Sequence, residues 1–483
     1  MSSIPPGFIV AGVRSQSGKT TVTLALMAAL RRLGVAVAPF KAGPDYIDPA
    51  WHRAVCGVPS WNLDTFMVGR TACQTLFYAQ RQGRLGIVEG VMGLFDGKSG
   101  IGGAGSTADL AAVLGIPVIL VVEARGMAGS LAPLVAGFSA AARDFRLAGV
   151  IANGVGSEHH ARLLADILEG AALPPLLGWL PRDPDLALTE RHLGLVLPAD
   201  QAVPDPEHPA RLATALHVDP DRLLAAVSRA TPSRTWEQAS VALPPDTGQK
   251  GLVGSTRAGA VTPLLDGRVV AVARDRAFCF LYEANLAWLT AMGARTCFFS
   301  PLAGEPLPVG TTAVWLPGGY PELHGAALSS STTWEELRRF VLAGGPVLAE
   351  CGGMMVLGHS LIDLEGRRWP MADILPLATR MTGRLAGLGY RQEKSGARGH
   401  EFHHSIRQDD ATPKPAFDLE KGDTGVRWHN LRAAYVHWYF PSAPERVAAW
   451  FSLGRGLAKM GSRGLATGQV QDGVLAGFGT EPQ

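Results

Sequence analysis

The sequence predicts an α/β fold in two domains, each built around a parallel β-sheet. In residues 1–200, short apolar segments alternate with longer segments of helical periodicity, and a second series of this kind begins at residue 268. Strands that are apolar on both faces and separated by helices are typical of a parallel sheet covered on both sides. The chain of 483 residues is also too long for one compact core.

Changes in composition mark the predicted domain boundaries. Residues 231–267 are rich in Pro, Gly, Ser and Thr without a sustained period, so we expect a linker there. Residues 456–483 are rich in glycine and weakly patterned, which indicates a C-terminal tail. The predicted domains are therefore residues 1–230 and 268–455.

The overall charge and the apolar segments exclude several classes of partner. The chain has 44 basic and 42 acidic residues, a net charge of +2, which is not typical of a protein that binds nucleic acid or an anionic membrane. The longest apolar segment, residues 110–122, contains Gly115 and Pro117 and is shorter than the roughly 20 residues needed to cross a bilayer. The N-terminus lacks the basic segment of a signal peptide, and the cysteines show no CxxC spacing. We therefore expect a cytoplasmic protein without disulfides.

A phosphate-binding loop is predicted between the first strand and the first helix. The strand at residues 8–12 is followed by VRSQSGKTT and by an amphipathic helix at residues 20–33. In this context Lys19 can reach the β- and γ-phosphates of ATP, the Thr20 hydroxyl can bind Mg²⁺, and backbone N–H groups can hold phosphate oxygens. Five residues rather than four separate Gly12 from Gly18, but the order of strand, loop and helix favours nucleotide binding over a simple helix start. The predicted nucleotide contacts are Ser15, Gly18, Lys19, Thr20 and Thr21.

Two acidic residues lie in the segment IVEGVMGLFDG, residues 87–97. Glu89 follows apolar strand residues in the manner of a Walker-B carboxylate and could hold Mg²⁺ directly or through water. Asp96 could belong to the substrate site and sense the γ-phosphate, or it could be a turn residue before Gly97. Both residues are retained as site candidates.

The segment FKAGPDYIDPAWH, residues 40–52, has an unusual density of polar groups between two apolar segments. A strand ends at Lys41, and a Gly-Pro turn then presents polar side chains near the carboxyl end of the sheet, where α/β sites lie. We predict that Asp45 binds Mg²⁺ and contributes to the substrate site. Lys41 would bind a carboxylate or the transferred phosphoryl group, and Tyr46 and Asp48 would bind substrate. The alternative is an ordinary turn, in which Asp and Pro are common.

The second domain contains a candidate nucleophile. Cys351 follows a strand and precedes two glycines and a helical segment, an arrangement typical of a nucleophile elbow, and a helix N-terminus would favour the thiolate form. His437, on the strand in AAYVHWYF, could act as the base. The Gly318-Gly319 turn could supply the backbone N–H groups of an oxyanion hole. The other four cysteines are interpreted as small buried hydrophobic residues.

These motifs belong to a larger set of segments: GVRSQSGKTT, FKAGPDYIDPAWH, NLDTFM, VEGVMGLFDG, RDRAFCFLYEANL, LPGGYPELH, AECGGMMVLG, GHEFHHS and YVHWYF. The set resembles the corrin amidase family, the cobyrinate a,c-diamide synthases of cobalamin biosynthesis. The resemblance covers about residues 1–230 and 268–455. The P-loop spacing alone is shared with dethiobiotin synthetase, whereas residues 40–52 together with the cysteine domain narrow the match to the corrin amidases.

The resemblance implies a P-loop NTPase-like domain followed by a class I glutamine amidotransferase-like domain. It implies that ATP phosphorylates a side-chain carboxylate of a corrinoid polycarboxylate, while Cys351 forms a thioester with glutamine and releases ammonia. The ammonia then attacks the acyl phosphate, and the c and a carboxylates become amides in turn. By analogy with related ligases, Asn153 contacts adenine. The implied ligands are ATP, Mg²⁺, glutamine and the corrinoid, in a protein that could be a homodimer.

Several alternatives stay open. Triad amidotransferases have a glutamate two residues after the histidine, where this chain has Tyr439, so the resemblance implies a Cys351–His437 dyad without a certain third member. Hydrogenobyrinate or nickel-sirohydrochlorin could replace cobyrinate as the substrate. A P-loop regulatory ATPase, or an ATP-binding corrinoid carrier, with an inactive cysteine domain is a further alternative, but partitioning ATPases carry a lysine where this chain has Arg14. The histidines of RGHEFHHS, residues 398–405, are interpreted as structural or glutamine-pocket residues.

Overall fold

The computed structural model describes residues 6–98, 103–186, 190–191, 194–195, 207–232, 263–410 and 412–452. The strands of the first domain are β1 (Gly7–Gly12), β2 (Val37–Ala42), β3 (Trp61–Leu63), β4 (Leu85–Gly93), β5 (Val118–Glu123), β6 (Leu147–Val155), β7 (Leu176–Pro181), β8 (Glu190–Arg191), β9 (Gly194–Leu195) and β10 (His217–Val218). Eight of them form one sheet in the order β10-β7-β6-β5-β1-β4-β2-β3, and β8 pairs with β9. All pairs of the large sheet are parallel except β10 with β7.

Helices cover both faces of this sheet. They are α1 (Lys19–Arg32), α2 (Ile47–Cys56), α3 (Arg70–Arg81), α4 (Thr107–Leu114), α5 (Leu131–Ala141), α6 (Glu158–Gly170), α7 (His208–Ala215) and α8 (Pro220–Ala230). Along β1, Ile9 and Ala11 belong to the apolar cluster under α3 to α6, whereas Phe8 and Val10 belong to the cluster under α1, α2, α7 and α8. Alternate residues of a strand point to opposite faces, so a strand that is apolar at every position needs this double cover.

The second domain is built around a six-stranded sheet with two smaller sheets beside it. Its strands are β11 (Val269–Ala273), β12 (Arg295–Phe299), β13 (Ala313–Leu316), β14 (Val347–Glu350), β15 (Ser360–Ile362), β16 (Arg368–Pro370), β17 (Leu377–Met381), β18 (Gly387–Gln392), β19 (Arg398–His403), β20 (Ser405–Asp409), β21 (Val426–Trp428), β22 (Leu431–Ala434) and β23 (His437–Tyr439). The large sheet has the order β12-β11-β13-β14-β22-β21, and only the edge strand β21 is antiparallel to its neighbour. The smaller sheets are β16-β15-β17-β20 and β18-β19-β23.

The helices of the second domain are α9 (Glu283–Ala291), α10 (Gly325–Ser329), α11 (Thr333–Leu342), α12 (Gly352–Met355) and α13 (Pro444–Trp450). The predicted α/β fold with two largely parallel sheets is therefore confirmed. Most of the predicted linker (residues 233–262) and the whole predicted tail lie outside the described residues. Within the described part of the chain, no helix has both the length and the apolar character that a membrane crossing requires.

The two domains share a buried interface. Tyr282 and Tyr439 of the second domain are each 2% exposed and belong to the apolar cluster that continues into the first domain. The Tyr390 hydroxyl donates a hydrogen bond of 2.6 Å to the carboxylate of Asp64, which is itself buried. Apolar packing and a buried polar contact therefore fix the two sheets relative to one another.

The hydrogen bond between Tyr390 and Asp64 should contribute measurably to the free energy of unfolding. Because Tyr390→Phe leaves a buried carboxylate with one donor fewer, we expect it to lower the apparent free energy of unfolding by about 1–3 kcal/mol in chemical denaturation. Lys394→Ala is the control, since it breaks only an exposed ion pair with Asp418 and should cost about 0.5 kcal/mol or less. Equal effects of the two substitutions would contradict the proposed role of the interface bond.

Candidate active sites

The phosphate-binding loop lies between β1 and α1, at the carboxyl edge of the first sheet. Gly18 has a φ of 83°, and a Cβ atom there would lie 2.1 Å from the side-chain nitrogen of Asn153, so only glycine fits. The Asn153 amide donates to the carbonyl of Ser17 at 3.2 Å, and the Lys19 ammonium lies 3.5 Å from the carbonyl of Arg14. Asn153, predicted to contact adenine, is therefore placed against the loop and supports its shape.

The remaining predicted nucleotide contacts surround the same loop. Ser15 is exposed at its tip, and Thr20 and Thr21 are half-buried in the first turn of α1. Burial and the neighbouring Lys41 ammonium lower the pKa of Lys19 from its usual value. Two ammonium groups held this close repel each other, and an anion such as a triphosphate would relieve the repulsion.

Glu89 is fully buried on β4, between β1 and β2. One carboxylate oxygen accepts hydrogen bonds from Thr20 at 2.6 Å and from Lys41 at 3.2 Å, and the other lies 2.7 Å from Nε2 of His52. Burial alone would raise the pKa of Glu89, but Lys41 and His52 outweigh burial and hold this pKa below its usual value. An ionised carboxylate therefore lies directly beside the P-loop threonine.

Asp48 contacts the phosphate site more directly than Asp45 does. The Asp48 carboxylate lies 2.6 Å from the Lys41 ammonium and 3.5 Å from the Thr20 hydroxyl. The Asp45 carboxylate instead accepts backbone N–H bonds of 2.8 and 3.0 Å from Ile47 and Asp48, at the start of α2. The predicted Mg²⁺ contact at Asp45 therefore remains a prediction, and Asp48 is the better placed of the two acids.

Three carboxylates act on the ammonium group of Lys41 or on one another. Burial opposes the charge on Lys41, but the Asp48 and Glu89 carboxylates hold its pKa above the usual value. Burial and the Asp45 and Glu89 carboxylates in turn raise the pKa of Asp48. The carboxylates of Asp45, Asp48 and Glu89 therefore repel one another, and a divalent cation would relieve that repulsion.

The side chains at this point suit Mg²⁺. Thr20, Asp48 and Glu89 present hard oxygen atoms, which this ion prefers. Within the described part of the chain, no three His, Cys, Asp or Glu side chains form a metal site by themselves. That agrees with a cation shared with ATP, because Mg²⁺ usually takes one or two carboxylates and completes its shell with phosphate oxygens and water.

His52 is a site residue that the sequence analysis did not assign. It is fully buried on α2, with Nε2 against Glu89 and Nδ1 at 2.9 Å from the Ser60 hydroxyl. The imidazole therefore fixes the orientation of the Glu89 carboxylate. A histidine on the buried face of a helix has no spacing signal, so the sequence alone could not show this contact.

Asp96 is exposed in the turn after β4. Its carboxylate accepts a hydrogen bond of 2.8 Å from the backbone N–H of Gly93, which is the turn role considered as an alternative. Its charge also acts on Lys19, whose pKa it helps to raise against the larger effect of burial. Asp96 therefore lies near the phosphate site, and its role toward substrate stays a prediction.

Cys351 lies in a strained backbone turn between β14 and α12. Its φ of 48° and ψ of −110° are rarely adopted by residues other than glycine. The N–H of Cys351 donates to the carbonyl of Ala434 on β22 at 2.8 Å, and its carbonyl accepts bonds from Met354 and Met355 at 2.9 and 3.0 Å. This order of strand, strained turn and helix is the geometry of a nucleophile elbow.

The thiol is protonated in this conformation. Burial and the nearby Glu322 raise the pKa of Cys351 to about 12. The backbone N–H of Gly352, at the start of α12, lowers the pKa of Cys351 as expected of a helix N-terminus, but burial outweighs this contribution. The thiol needs a base that accepts its proton during reaction.

His437 is placed to be that base. It is 1% exposed, and a Cβ atom at Gly318 would lie 2.3 Å from Cε1 of His437 and 3.3 Å from Cβ of Cys351. Gly318 is thus the point where thiol and imidazole approach each other. Burial and the neighbouring His400 lower the pKa of His437 well below its usual value, so the ring is neutral and can accept a proton.

Nδ1 is the ring nitrogen of His437 that lies toward Gly318, 3.1 Å from the position that a Cβ atom there would take. Among the described residues, this buried atom has no hydrogen-bond partner, so it can accept the proton of the thiol. Tyr439, which stands where a triad glutamate would be, is buried in the domain interface. A Cys351–His437 dyad without a certain third member therefore remains a prediction.

The Gly318-Gly319 turn faces the elbow. The backbone nitrogen of Gly319 would lie 3.1 Å from a Cβ atom at Gly352, the residue after the nucleophile. A Cβ atom at Gly319 would lie 2.1 Å from the carbonyl of Ala277, so the close approach requires glycine. The turn is therefore in place for the predicted oxyanion hole.

Glu350 and His400 lie beside the dyad. Glu350 was not assigned in the sequence analysis, whereas His400 was interpreted there as a structural or glutamine-pocket residue. Glu350 is buried and accepts hydrogen bonds of 2.8 Å from the backbone of Trp438 and 2.9 Å from the indole of Trp315, which ties the elbow strand to the strand of His437. Burial raises the pKa of Glu350 to about 8. The ring of His400 stacks on that of His437 at a centroid distance of 5.0 Å. In the sequence, the only sign of a role for Glu350 was that an acidic residue lies within the otherwise apolar segment LAEC.

A cavity of about 250 Å³ opens over Cys351. Its walls include Cys351 and His437 of the second domain and Asp45 and Tyr46 of the first. The Tyr46 ring stacks on Phe280 at a centroid distance of 5.0 Å and lies 5.4 Å from the ring of His437. The predicted substrate segment and the predicted nucleophile therefore face the same cavity.

Comparisons with known proteins agree with this two-site arrangement. Residues 8–196 match the CobQ/CobB/MinD/ParA nucleotide binding domain, and residues 269–445 match the CobB/CobQ-like glutamine amidotransferase domain. The chain is 39% identical to the cobyrinate a,c-diamide synthase of Herminiimonas arsenicoxydans, over 92% of this chain and 96% of that protein. The chain belongs to the a,c-diamide synthase family.

Other members carry two different names. The chain is 40% identical to the hydrogenobyrinate a,c-diamide synthase of Rhizobium meliloti, over 89% of this chain and 98% of that protein. It is 38% identical to the cobyrinate a,c-diamide synthase of Salmonella typhimurium, over 93% of this chain and 98% of that protein. Membership of the a,c-diamide synthase family confirms the corrin amidase resemblance and the two predicted domain types.

Gly318→Ala should disable the cysteine site. Because a methyl group there would push apart Cys351 and His437, we expect glutamine hydrolysis to fall by about 100-fold or more, as when an oxyanion-hole group is lost. Gly383→Ala is the matched control, since its added Cβ would meet nothing within 4 Å. An assay of glutamate release that finds equal rates for both variants would contradict the close approach at Gly318.

The protonated state of Cys351 predicts its reactivity. Near neutral pH, iodoacetamide should modify the half-buried Cys297 before Cys351, because the thiolate is the reacting form and burial also limits access. The Cys351 rate should rise as the pH approaches its pKa of about 12. Mass spectrometry of labelled peptides resolves the two sites, and fastest labelling of Cys351 at neutral pH would contradict the assignment.

Proposed function

We propose that this protein uses ATP and glutamine, or free ammonia, to convert the a and c carboxylates of cobyrinate into amides. One observation carries the proposal: residues 45–48 join the two candidate sites. Asp48 lies beside Thr20 and Lys41 at the phosphate site, while Asp45 and Tyr46 line the cavity over Cys351. A carboxylate activated at the first site would therefore lie close to the ammonia released at the second.

The cysteine site supports release of ammonia from glutamine. The sulfur of Cys351 attacks the amide carbonyl while His437 takes the thiol proton, and the N–H group of Gly319 faces the developing oxyanion. His437 then returns the proton to the leaving nitrogen, and ammonia departs. Water hydrolyses the resulting thioester to glutamate and restores the thiol.

The phosphate site supports activation of a carboxylate. A carboxylate oxygen of the corrin attacks the γ-phosphorus of ATP, ADP leaves, and an acyl phosphate forms. The ammonium groups of Lys19 and Lys41 stabilise the charge that develops on the phosphoryl oxygens. Thr20, Asp48 and Glu89 would hold Mg²⁺, which neutralises phosphate charge when bound. Ammonia then attacks the acyl carbon, and inorganic phosphate leaves as the amide forms.

The identity of the ring is the open point within the family. Relatives named for cobyrinate and for hydrogenobyrinate match this chain at 38–40% identity, so overall similarity does not separate the two substrates. Trp51 and His52 do not separate the two substrates either, because both side chains are buried and His52 is held against Glu89. Hydrogenobyrinate is therefore kept as the second candidate substrate.

A regulatory ATPase with an inactive cysteine domain is less well supported. The Arg14 side chain is exposed, and its guanidinium group donates a hydrogen bond of 3.3 Å to the carbonyl of Ser15. The strained turn at Cys351 costs stability, which an inactive domain has no reason to retain. The cytoplasmic location and the homodimer remain predictions.

Cys351→Ala separates the two half-reactions. We expect it to abolish amidation from glutamine and to leave amidation from added ammonium salts, because the phosphate site does not use the thiol. Product formation by chromatography checks both nitrogen sources. Retained synthesis from glutamine would show that the amidotransferase assignment is wrong.

Lys19→Ala tests the phosphate site. Loss of one cation from the phosphoryl group should lower synthesis from both nitrogen sources by roughly 100-fold or more. Lys394→Ala, at an exposed position that does not line the cavity over Cys351, is the control and should behave as wild type. Normal rates of Lys19→Ala with either nitrogen source would remove the P-loop from the mechanism.

The reaction itself is checked by mass spectrometry of products. Cobyrinate and hydrogenobyrinate are each incubated with the enzyme, ATP, Mg²⁺ and glutamine. We expect two successive replacements of OH by NH₂ on cobyrinate, and the relative rates on the two rings decide the substrate. A product with no exchange on either ring would overturn the proposed function.

A further inference from the structure

A second and larger cavity lies between the domains, next to the cavity over Cys351. Its volume is about 530 Å³, against about 250 Å³ for the first. One wall is α2 with the segment that follows it, and the other is the loop after β11 with the start of α9. Tyr46 lines both cavities and so forms part of the partition between them.

The larger cavity carries unneutralised positive charge. Arg53, Arg274 and Arg276 line it together with two acids. Of the acids, Glu283 is paired with Arg53 at 2.7 Å, and Asp275 accepts four hydrogen bonds from the backbone and the side chain of its own domain. Among the described residues, no carboxylate lies within ion-pair distance of Arg274 or Arg276. The guanidinium group of Arg274 lies over the ring of Phe298, 4.7 Å from its centroid, a contact that leaves the charge of the group unneutralised. Both guanidinium groups can therefore still bind an anion from solution.

Much of the rest of the wall is apolar, apart from Ser60 and Asn62. Pro49, Ala50, Leu281 and Leu286 line the cavity together with the ring of Tyr46. A guanidinium group presents a planar fork that matches a carboxylate, and apolar walls take up flat carbon surface. The cavity therefore suits a large molecule with a flat apolar body and carboxylates at its edge.

The wall of the larger cavity is connected to the candidate phosphate site through buried side chains. Ser60 is one of its lining residues, and its hydroxyl lies 2.9 Å from Nδ1 of His52. The other nitrogen of His52 lies 2.7 Å from the carboxylate of Glu89. Two hydrogen bonds thus separate the cavity wall from the acid beside Thr20, and Tyr46 lies between this cavity and the cavity over Cys351.

We propose that this interdomain cavity is the docking site of the corrin ring, with Arg274 and Arg276 binding peripheral carboxylates that are not being amidated. The inference rests on the proposed function, because it names the place where that substrate binds. A ring held by its other carboxylates can present one carboxylate at a time to the phosphate site. Both arginines belong to the amidotransferase domain, so the substrate of the first domain is bound by the second.

Binding of cobyrinate by the full-length enzyme tests the assignment. Equilibrium dialysis with wild type, Arg274→Ala, Arg276→Ala and the double variant measures affinity without catalysis. Because each single variant loses an exposed charge-assisted contact, we expect its affinity for cobyrinate to fall by about three- to tenfold. The affinity of the double variant should fall by roughly the product of the two single factors. Arg276→Lys, which keeps the charge but not the fork, should fall between wild type and Arg276→Ala.

Two further variants test the docking site: one changes an arginine outside both cavities, and the other fills part of the larger cavity. Arg339→Ala removes an exposed arginine of α11 that lines neither cavity, and its affinity for cobyrinate should equal that of wild type. Ala54→Trp adds bulk at an exposed wall position, and it should raise the KM for cobyrinate more than the KM for ATP.

The outcomes separate this inference from the proposed function. Wild-type affinity in the double arginine variant, with normal amidation by wild-type enzyme, would overturn the docking site and leave the proposed function standing. Wild-type enzyme that neither binds nor amidates cobyrinate or hydrogenobyrinate would overturn both. Weaker binding by the double variant with unchanged binding by Arg339→Ala supports the docking site.

Discussion

The candidate site depends on one buried ion pair between Lys41 and Glu89. Neither side chain is more than 3% exposed, and the two residues are register partners on the parallel strands β2 and β4. Removing one charge from such a pair costs about 3–5 kcal/mol, because the other is left buried and unpaired. Thr20, Asp48 and His52 then take their positions from these two charges, so the phosphate site and the core of the first domain are stabilised by the same contacts.

The segment that follows Lys41 also extends to the domain interface. The chain that leaves Lys41 turns at residues 43–45 and places the ring of Tyr46 among aromatic rings of the other domain, against Phe280 and Tyr282. Asp48, two residues later, is back at the ammonium of Lys41. A single short segment therefore contacts the phosphate site, the cysteine cavity and the larger basic cavity.

The sequence predicted those features that depend on local order. Apolar strands, the P-loop and the turn at Cys351 are each encoded within about a dozen neighbouring residues, and the two sheets follow from them. The roles of His52 and Glu350 could not be predicted, since each depends on a partner more than thirty residues away in the chain. The protonated thiol was also missed, because burial, which sets its pKa, is a property of the folded domain.

In the proposed reaction, nitrogen released at Cys351 passes inside the protein to the activated carboxylate near Lys41. The most direct test uses glutamine that carries heavy nitrogen in its amide group, in a solution with a large excess of unlabelled ammonium. Mass spectrometry then measures the label in the corrin amides. The account predicts that most of the new amide nitrogen is heavy. If the fraction of heavy nitrogen in the corrin amides instead equals the heavy fraction of all ammonium in the solution, internal passage is contradicted.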